Sequence, residues 1–427
     1  MAIVSSTESR TEHRIIYMPT EMGMAHRSYL APDRKQVLLV EMDHDAWLPC
    51  RLTPFDATSP GKPVGPKPAH CADAAWSPDG KWMYFSADAG DGYHIWRQRF
   101  PDGAAEQITS GATQEEGIEI APDGRSLVTS IGASQSTVWL HDSRGDRQIT
   151  SEGDGLLPSV SPDGKKLYYL MRDREARRFV SGELWVADLE SGQRERLLPD
   201  FVMQHYAISV DGRRVVFVVP GETGHSQVWV AELSIRSAPR QVTTHDASKA
   251  YFGPSGDVLF LAPEEAAKFV YRVKEDGSEL SNILRIDSSA ALFSASPDGK
   301  WFVVPGLIDK TTWGAMAYPV AGGPPTLLCV ACARGSVERS GFPGVSWSPD
   351  GKFLYLKIQE SIYAIPLRPG EMLPPIPAAG FRSKEDLAGF PGTQLIPQDG
   401  AFPGPNPSIY AFTKTATHRN IYRVSVP

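Results

Sequence analysis

The stretch Trp76-Ser77-Pro78-Asp79-Gly80-Lys81-Trp82 contains a tight-turn signal that recurs along the whole chain. In such a turn the Pro has a preset φ, the Asp bonds to nearby backbone, and the Gly takes the positive φ that starts the return strand. We therefore expect the turn acids to be structural and not calcium ligands. Nine such turns or near variants lie 40 to 56 residues apart, with third positions at Asp33, Asp79, Asp123, Asp163, Asp211, Ser255, Asp298, Asp350 and Asn406.

Each repeat divides into four short strand candidates. In the second repeat these are Ala74–Trp76, Lys81–Ser86, Tyr93–Phe100 and Glu106–Thr109, which are rich in β-branched and aromatic residues and bounded by turn formers. A period near 44 residues is too long for one hairpin and is typical of a four-stranded β-propeller blade.

The third strand of most repeats carries an apolar residue followed by an aromatic one. Large rings at one fixed place per blade are suited to packing between twisted sheets, so we predict that they form the core between blades and are not ligand contacts. The pairs are Ile95-Trp96, Val138-Trp139, Leu184-Trp185, Val228-Trp229, Val270-Tyr271, Ile362-Tyr363 and Ile421-Tyr422.

Strand candidates at the two ends of the chain belong to no complete repeat. The last repeat stops one strand short, and Arg14–Met18 precedes the first turn. Pairing this N-terminal strand with the C-terminal blade would remove two exposed edges. We therefore predict an all-β fold, a single closed propeller of four-stranded antiparallel blades over residues 14–427, after a flexible segment 1–13. Counting strands gives nine blades, with eight as the alternative if one weak repeat is a loop.

Composition limits the possible classes of function. The 427 residues carry a formal net charge of −7, which gives no reason to expect nucleic-acid binding. No apolar run reaches the length of a membrane span, and the N-terminus lacks the apolar core of a signal peptide. We expect a cytoplasmic monomer, unless the chain was cut from a longer precursor.

The four cysteines leave three alternatives open. Cys50 and Cys71 lie in neighbouring repeats, and Cys329-Val330-Ala331-Cys332 forms one CxxC motif. A zinc site usually needs a second ligand pair, and none stands at a suitable spacing. The sequence therefore favours structural cysteines over a redox-labile local disulfide or a metal site.

The run Trp-Ser-Pro-Asp-Gly-Lys-x-aromatic, which begins at Trp76 and again at Trp347, resembles the WD40-like propeller repeat of TolB-type proteins. This resemblance covers essentially the whole chain. Residues 94–103 and 419–424 are similar to the C-terminal propeller regions of bacterial receptor-type Ser/Thr kinases, which implies a sensor or interaction region that is extracytoplasmic. The kinase motifs themselves are missing, so no kinase residue is carried over.

Motifs for other chemistry are weak. The nearest approach to a nucleophile elbow is Gly224-His225-Ser226-Gln227-Val228, which lacks the final Gly and precedes a strand instead of a helix. The ten histidines include no His-x-His or His-Glu-x-x-His. We therefore expect no catalytic residues, no metal and no cofactor in this chain.

The mouth of the ring is the default ligand site of such a scaffold, and residues before each first strand reach it. Acidic and basic side chains together would give it a mixed polar lining, although a hydrated channel without a physiological ligand is the alternative. The candidate ligand-binding residues are Arg27, His70, Glu115, Glu116, His205 and Tyr251, with His26, Tyr206 and Phe293 beside them.

Three hypotheses on function follow. The first is a non-catalytic propeller that binds a protein, peptide or small ligand on one face. The second is an enzyme, a metal-assisted lyase or hydrolase that uses the channel. The third is an inert folding and assembly module. The absence of catalytic motifs favours the first over the second.

Overall fold

The chain is all-β wherever a computed structural model describes it. The described part contains one helical element, the 3-10 turn Lys384–Leu387, and no helix there has the length and apolarity to cross a membrane. The described residues are 3–6, 13–20, 23–43, 46–90, 92–111, 113–151, 153–172, 181–221, 225–233, 237–253, 255–264, 267–286, 294–309, 312–332, 344–359, 361–387 and 389–426.

The chain divides into two compact units. Unit 1 comprises Met1–Gln135, Arg174–Phe179 and Thr415–Pro427, and unit 2 comprises Ser136–Asp173 and Val180–Lys414. The predicted extent of the propeller, residues 14–427, stays a prediction.

Unit 1 contains a two-stranded sheet and two larger sheets of consecutive antiparallel strands. The strands are β1 (Ile3–Ser6) and β2 (His13–Tyr17); β3 (Gly23–Leu30), β4 (Gln36–Asp43), β5 (Ala46–Trp47), β6 (Arg51–Pro54) and β7 (Lys62–Pro63); and β8 (His70–Trp76), β9 (Trp82–Asp88), β10 (Tyr93–Arg99) and β11 (Ala105–Gln107).

A further sheet, here called the shared sheet, contributes strands to both units. It contains β12 (Gln114–Ile120), β13 (Ser126–Asp142) and β14 (Gly145–Gln148), together with two strands from the end of the chain, β35 (Phe402–Pro403) and β36 (Tyr410–Ser425).

Unit 2 contains five complete four-stranded meanders. They are β15 (Gly155–Val160), β16 (Lys166–Arg172), β17 (Gly182–Asp188) and β18 (Arg194–Leu197); β19 (His205–Ile208), β20 (Arg214–Pro220), β21 (Ser226–Glu232) and β22 (Arg240–Thr243); β23 (Lys249–Phe252), β24 (Val258–Glu264), β25 (Ala267–Val273) and β26 (Ser281–Ile286); β27 (Ser294–Ala295), β28 (Trp301–Leu307), β29 (Trp313–Pro319) and β30 (Thr326–Val330); and β31 (Val345–Trp347), β32 (Phe353–Ile358), β33 (Ser361–Pro366) and β34 (Gln394–Ile396).

The shared sheet has residues in both units because its strands β13 and β36 are unusually long. In the second repeat the turn formers between Asp88 and Tyr93 separate the second strand from the third. The middle of β13 has no Pro or Asp-Gly, so it continues for 17 residues, and β36 likewise continues for 16. Within unit 2, residues 136–142 and 410–414 are the two middle strands of a four-stranded set closed by β14 and β35.

The predicted closure by the N-terminal strand is wrong. β2 pairs with β1, whereas β36 pairs with β13. The reason is that the uninterrupted β13 offers a long edge to β36. Nine repeat turns therefore correspond to eight sheets of four or five strands in the described residues, because the third and ninth repeats contribute to the same sheet.

Apolar clusters join the six strand sets of unit 2 in a closed series. Each cluster combines residues of two neighbouring sets, and the last joins the fifth meander to the shared sheet. The predicted packing role of the third-strand aromatics is confirmed in the first six pairs, whose rings all lie against these clusters or the equivalent one in unit 1. Representative pairs within the six clusters are Val138 and Tyr169, Leu170 and Phe217, Val218 and Phe260, Leu261 and Val304, Val303 and Leu356, and Tyr355 and Phe412.

The repeat turns have the predicted geometry. The Ser77 hydroxyl donates to Asp79 at 2.7 Å and accepts the Trp82 N–H at 2.9 Å, while Gly80 has a φ of 69°. The hydrogen bonds that Asp79 accepts from the Ser77 hydroxyl and from the Lys81 N–H lower the pKa of its carboxyl group. The same Ser–Asp bond recurs at Ser161, Ser209, Ser296 and Ser348.

Gly212 is a turn glycine whose replacement should cost stability through backbone strain alone. Its φ is 71°, and a Cβ there would meet no atom within 4 Å. Gly212→Ala should lower the free energy of unfolding by about 1 kcal/mol in urea denaturation, because an L residue is strained in this region. Gly389→Ala, which also has open space but no left-handed φ, is the control. Equal losses in both variants would contradict the strain argument.

Two disulfides are present, and both are buried. Cys50–Cys71 spans 21 positions and Cys329–Cys332 spans 3. This agrees with the structural interpretation of the cysteines, because buried sulfurs are shielded from thiols in solution.

Removing the longer crosslink should cost more than removing the shorter one. The chain-entropy model gives a difference of about 2 kcal/mol between loops of these lengths. We expect Cys50→Ala/Cys71→Ala to lower the free energy of unfolding by about that much more than Cys329→Ala/Cys332→Ala, measured by urea denaturation. The opposite order would show that local packing outweighs loop entropy here.

Candidate functional site

Asp73 is a buried carboxylate on β8 that connects three strands of unit 1. Only 5% of the residue is exposed. It accepts hydrogen bonds from the Ala74 N–H and from the Ile118 N–H of β12, both at 3.0 Å, and from the Tyr29 hydroxyl of β3. These donors satisfy a group that would be costly to bury alone.

Irregular strand register makes this contact possible. Bulges re-aim side chains relative to a regular ladder, and β3, β8 and β12 each contain one at a similar depth. Gly117 has a φ of 78°, and a Cβ there would lie 3.8 Å from the carboxylate, so the backbone of β12 approaches it closely. The three irregularities lie at Ala25/Arg27, Cys71/Asp73 and Glu116/Glu119.

Arg27 is the exposed member of this cluster. Its Nη1 lies 3.3 Å from Asp73 Oδ1, while 46% of its side chain is exposed. Burial and the hydrogen bond to Asp73 raise the pKa of Tyr29 to about 12, so its hydroxyl stays a proton donor at neutral pH. A buried carboxylate thus orients an exposed guanidinium whose other N–H groups can donate to a ligand.

Such an arrangement suits an anion. A guanidinium presents its donors in a rigid planar fork that matches two oxygens of a carboxylate or phosphate. The edge-to-face contact of His26 with Trp47, 5.2 Å between ring centroids, adds aromatic surface next to Arg27 in the chain.

The two predicted acids of β12 have other partners. Glu115 is buried, with one oxygen 2.9 Å from His94 Nδ1 and accepting the Thr109 hydroxyl at 2.7 Å. Glu116 accepts from Arg419 of β36 at 2.7 Å. We expected Glu115 and Glu116 to form a mixed polar lining together with Arg27. The contacts show instead that Arg27 pairs with Asp73.

The remaining candidates are dispersed. His70 begins β8 and is half-buried. In unit 2, His205 on β19 contacts Tyr251 on β23 edge to face, with ring centroids 4.9 Å apart. Burial and, to a smaller extent, the Lys249 ammonium lower the pKa of His205 well below its usual range, so the ring is neutral. Phe293 lies outside the described residues.

Tyr206, next to His205 in the chain, is bonded to the backbone of another strand. Tyr206 donates its hydroxyl to the Leu157 carbonyl at 2.6 Å. Burial raises the pKa of Tyr206 well above its usual range.

Asp73 and Tyr29 were missed in the sequence. An acid within His70–Trp76, a strand otherwise rich in small apolar residues, was the available signal. Its partners come from two other strands, which a single sequence does not bring together. The described residues contain no group of three or more His, Cys, Asp or Glu side chains that could hold a metal ion.

No family model matches the chain, and no curated protein matches it. Among solved structures it is similar to TolB from Acinetobacter baumannii, with 15% identity over 69% of this chain and 76% of that chain and a TM-score of 0.41. It is also similar to an oligogalacturonate lyase from Vibrio parahaemolyticus (13%, 77% and 92%, TM-score 0.38) and to the tricorn protease (12%, 86% and 40%, TM-score 0.39).

These similarities agree with the TolB-type resemblance of the repeats. They do not show the similarity to kinase propeller regions. At such TM-scores they carry no argument about function, and the fold assignment depends on the strand pairings and the clusters.

Asp73→Ala should destabilise the protein strongly. The change leaves the Ile118 N–H and the Tyr29 hydroxyl without their acceptor and Arg27 without its counter-ion, so we expect a loss of about 3 kcal/mol in the free energy of unfolding by urea denaturation. Asp123→Ala is the control, since Asp123 accepts the Arg125 N–H at an exposed turn. A loss no larger than that of the control would contradict the role assigned to Asp73.

Proposed function

We propose that this protein is a non-catalytic binding protein whose ligand, a protein, peptide or small molecule, presents an anionic group to Arg27. The observation that carries the proposal is the exposed guanidinium of Arg27 held by the buried carboxylate of Asp73. A fixed donor fork loses little conformational freedom when it meets a ligand, which favours binding.

The environments of the other titratable candidates support binding over catalysis. Glu115 is enclosed by His94 and Thr109, Glu116 is paired with Arg419, and His205 is buried against Tyr251. A general acid or base must reach the proton that it transfers. These side chains instead join neighbouring strands and sheets.

The charge balance of the cluster indicates how the ligand is held. Arg27 and Asp73 together are neutral, and the chain is acidic, so long-range attraction of an anion is weak. Recognition then depends on directed N–H donors, and we expect discrimination between a carboxylate and its amide more than high affinity.

Two buried disulfides favour an oxidising compartment, because cytosolic thiols are kept reduced. We therefore place the protein outside the cytoplasm, against the expectation from its N-terminal sequence and in line with a sensor or binding role.

The test is a peptide array in which every sequence carries either a free C-terminal carboxylate or a C-terminal amide, with citrate as a small-molecule probe in calorimetry. We expect binding to depend on the carboxylate, Arg27→Ala to weaken it at least tenfold, and Arg27→Lys to weaken it less.

Arg196→Ala is the matched control, because Arg196 is 45% exposed and pairs with Glu183 at 2.8 Å but lies on the fourth strand β18. Equal binding by Arg27→Ala and the wild type would contradict the proposed site. Turnover of a substrate, with a stoichiometric metal in the purified chain, would contradict the non-catalytic assignment.

A further inference from the structure

One face of the shared sheet in unit 1 carries apolar residues that no other described residues cover. Ile421 of β36 is 77% exposed. The apolar residue at the same place in the other six third-strand pairs is fully buried: Ile95, Val138, Leu184, Val228, Val270 and Ile362.

Strand β13 of the same sheet also has an exposed apolar residue at a position that is buried in other repeats. Val128, four residues after the turn glycine Gly124, is 40% exposed. Residues at this place in six other repeats are at most 2% exposed: Tyr84, Tyr168, Val216, Phe260, Val303 and Tyr355. Two positions in independent strands therefore mark a face that a neighbouring sheet covers elsewhere in the chain.

The opposite face of the same strands is covered. Leu127, Ile118 and Val424 pack in one cluster with Tyr84 and Ile95 of the second sheet. The shared sheet is therefore buried on one side in unit 1, and its open side is defined by the alternation of side chains along each strand.

Charged residues lie on both sides of Val128 on the open face. Glu116 and Glu119 lie on β12, directly across from Ser130 and Val128 of β13, and therefore share their face. On the other side of β13, Arg423 of β36 donates to the Ser126 hydroxyl at 2.8 Å. Glu116 is already paired with Arg419 of β36, so the face carries Glu119 on β12, Val128 on β13, and Ile421 and Arg423 on β36.

We propose that this face binds the same face of a second copy of the chain. In a two-fold pair with aligned strands, β12 of one copy lies over β36 of the other, and Val128 meets its own equivalent. Glu119 would then lie opposite Arg423 of the second copy, so the surface is complementary to itself.

The area of this face determines how strongly two copies are expected to associate. Three strands of about seven residues cover roughly 23 by 14 Å. This is a few hundred Å² per copy, below the ~800 Å² of a standard stable interface. The dimer should therefore be reversible, with association visible at high micromolar concentration.

Sedimentation velocity of the full chain from 1 to 500 µM tests the proposal. The weight-average sedimentation coefficient should rise with concentration for the wild type and stay at the monomer value for Ile421→Asp. Val210→Asp, at an apolar turn residue of unit 2 that is 66% exposed, should behave as the wild type. Circular dichroism and thermal melting confirm that each variant is folded.

A charge exchange makes the test specific. Glu119→Arg alone and Arg423→Glu alone should each weaken association at least fivefold, and the double variant should restore it. A wild type that stays monomeric to 500 µM, or association that Ile421→Asp leaves unchanged, would overturn the proposal. The proposed anion site is measured by ligand binding to Arg27, so either proposal can fail alone.

Discussion

Face-to-face packing between twisted sheets is the constraint on which this structure depends. Each four-stranded sheet has apolar residues on both faces of its second strand, so it needs a neighbour on both sides. In unit 2, Val303 and Val304 belong to different clusters, and so do Tyr355 and Leu356. A series of such sheets satisfies this requirement when its last sheet also packs on its first. In unit 2 the cluster of Tyr355 and Phe412 provides this contact between the fifth meander and the shared sheet.

The local level of this fold could be predicted from the sequence because turn chemistry and residue alternation are local. Gly80 and its equivalents lie where the Ser-Pro-Asp-Gly signal indicated, and Trp96 lies between sheets as its position predicted. The pairing of strands far apart in the chain could not be predicted in the same way. Arg14–Met18 and residues 136–142 are both good strand candidates, and only edge length and competition between edges decide which one meets β36.

The candidate site shows the same division. Arg27 was identified from its expected place before the first strand of a blade. Its orientation depends on Asp73, whose partners Tyr29 and Ile118 come from two further strands. Glu115 was identified by the same positional rule and proved to be enclosed by His94. Position along a repeat therefore predicts which strand carries a side chain, whereas burial depends on neighbours that the repeat does not encode.

The long strands also have a consequence for biosynthesis. Thr137 contacts Lys414 and Ser134 contacts Thr417, across 277 and 283 positions of the chain. At ordinary translation speeds residues 136–142 leave the ribosome about 15 to 60 s before their partner strand exists. During that interval the nascent protein carries an unpaired edge that invites wrong partners. Its successful production therefore depends on how well the cell shields that edge while the remaining sheets emerge.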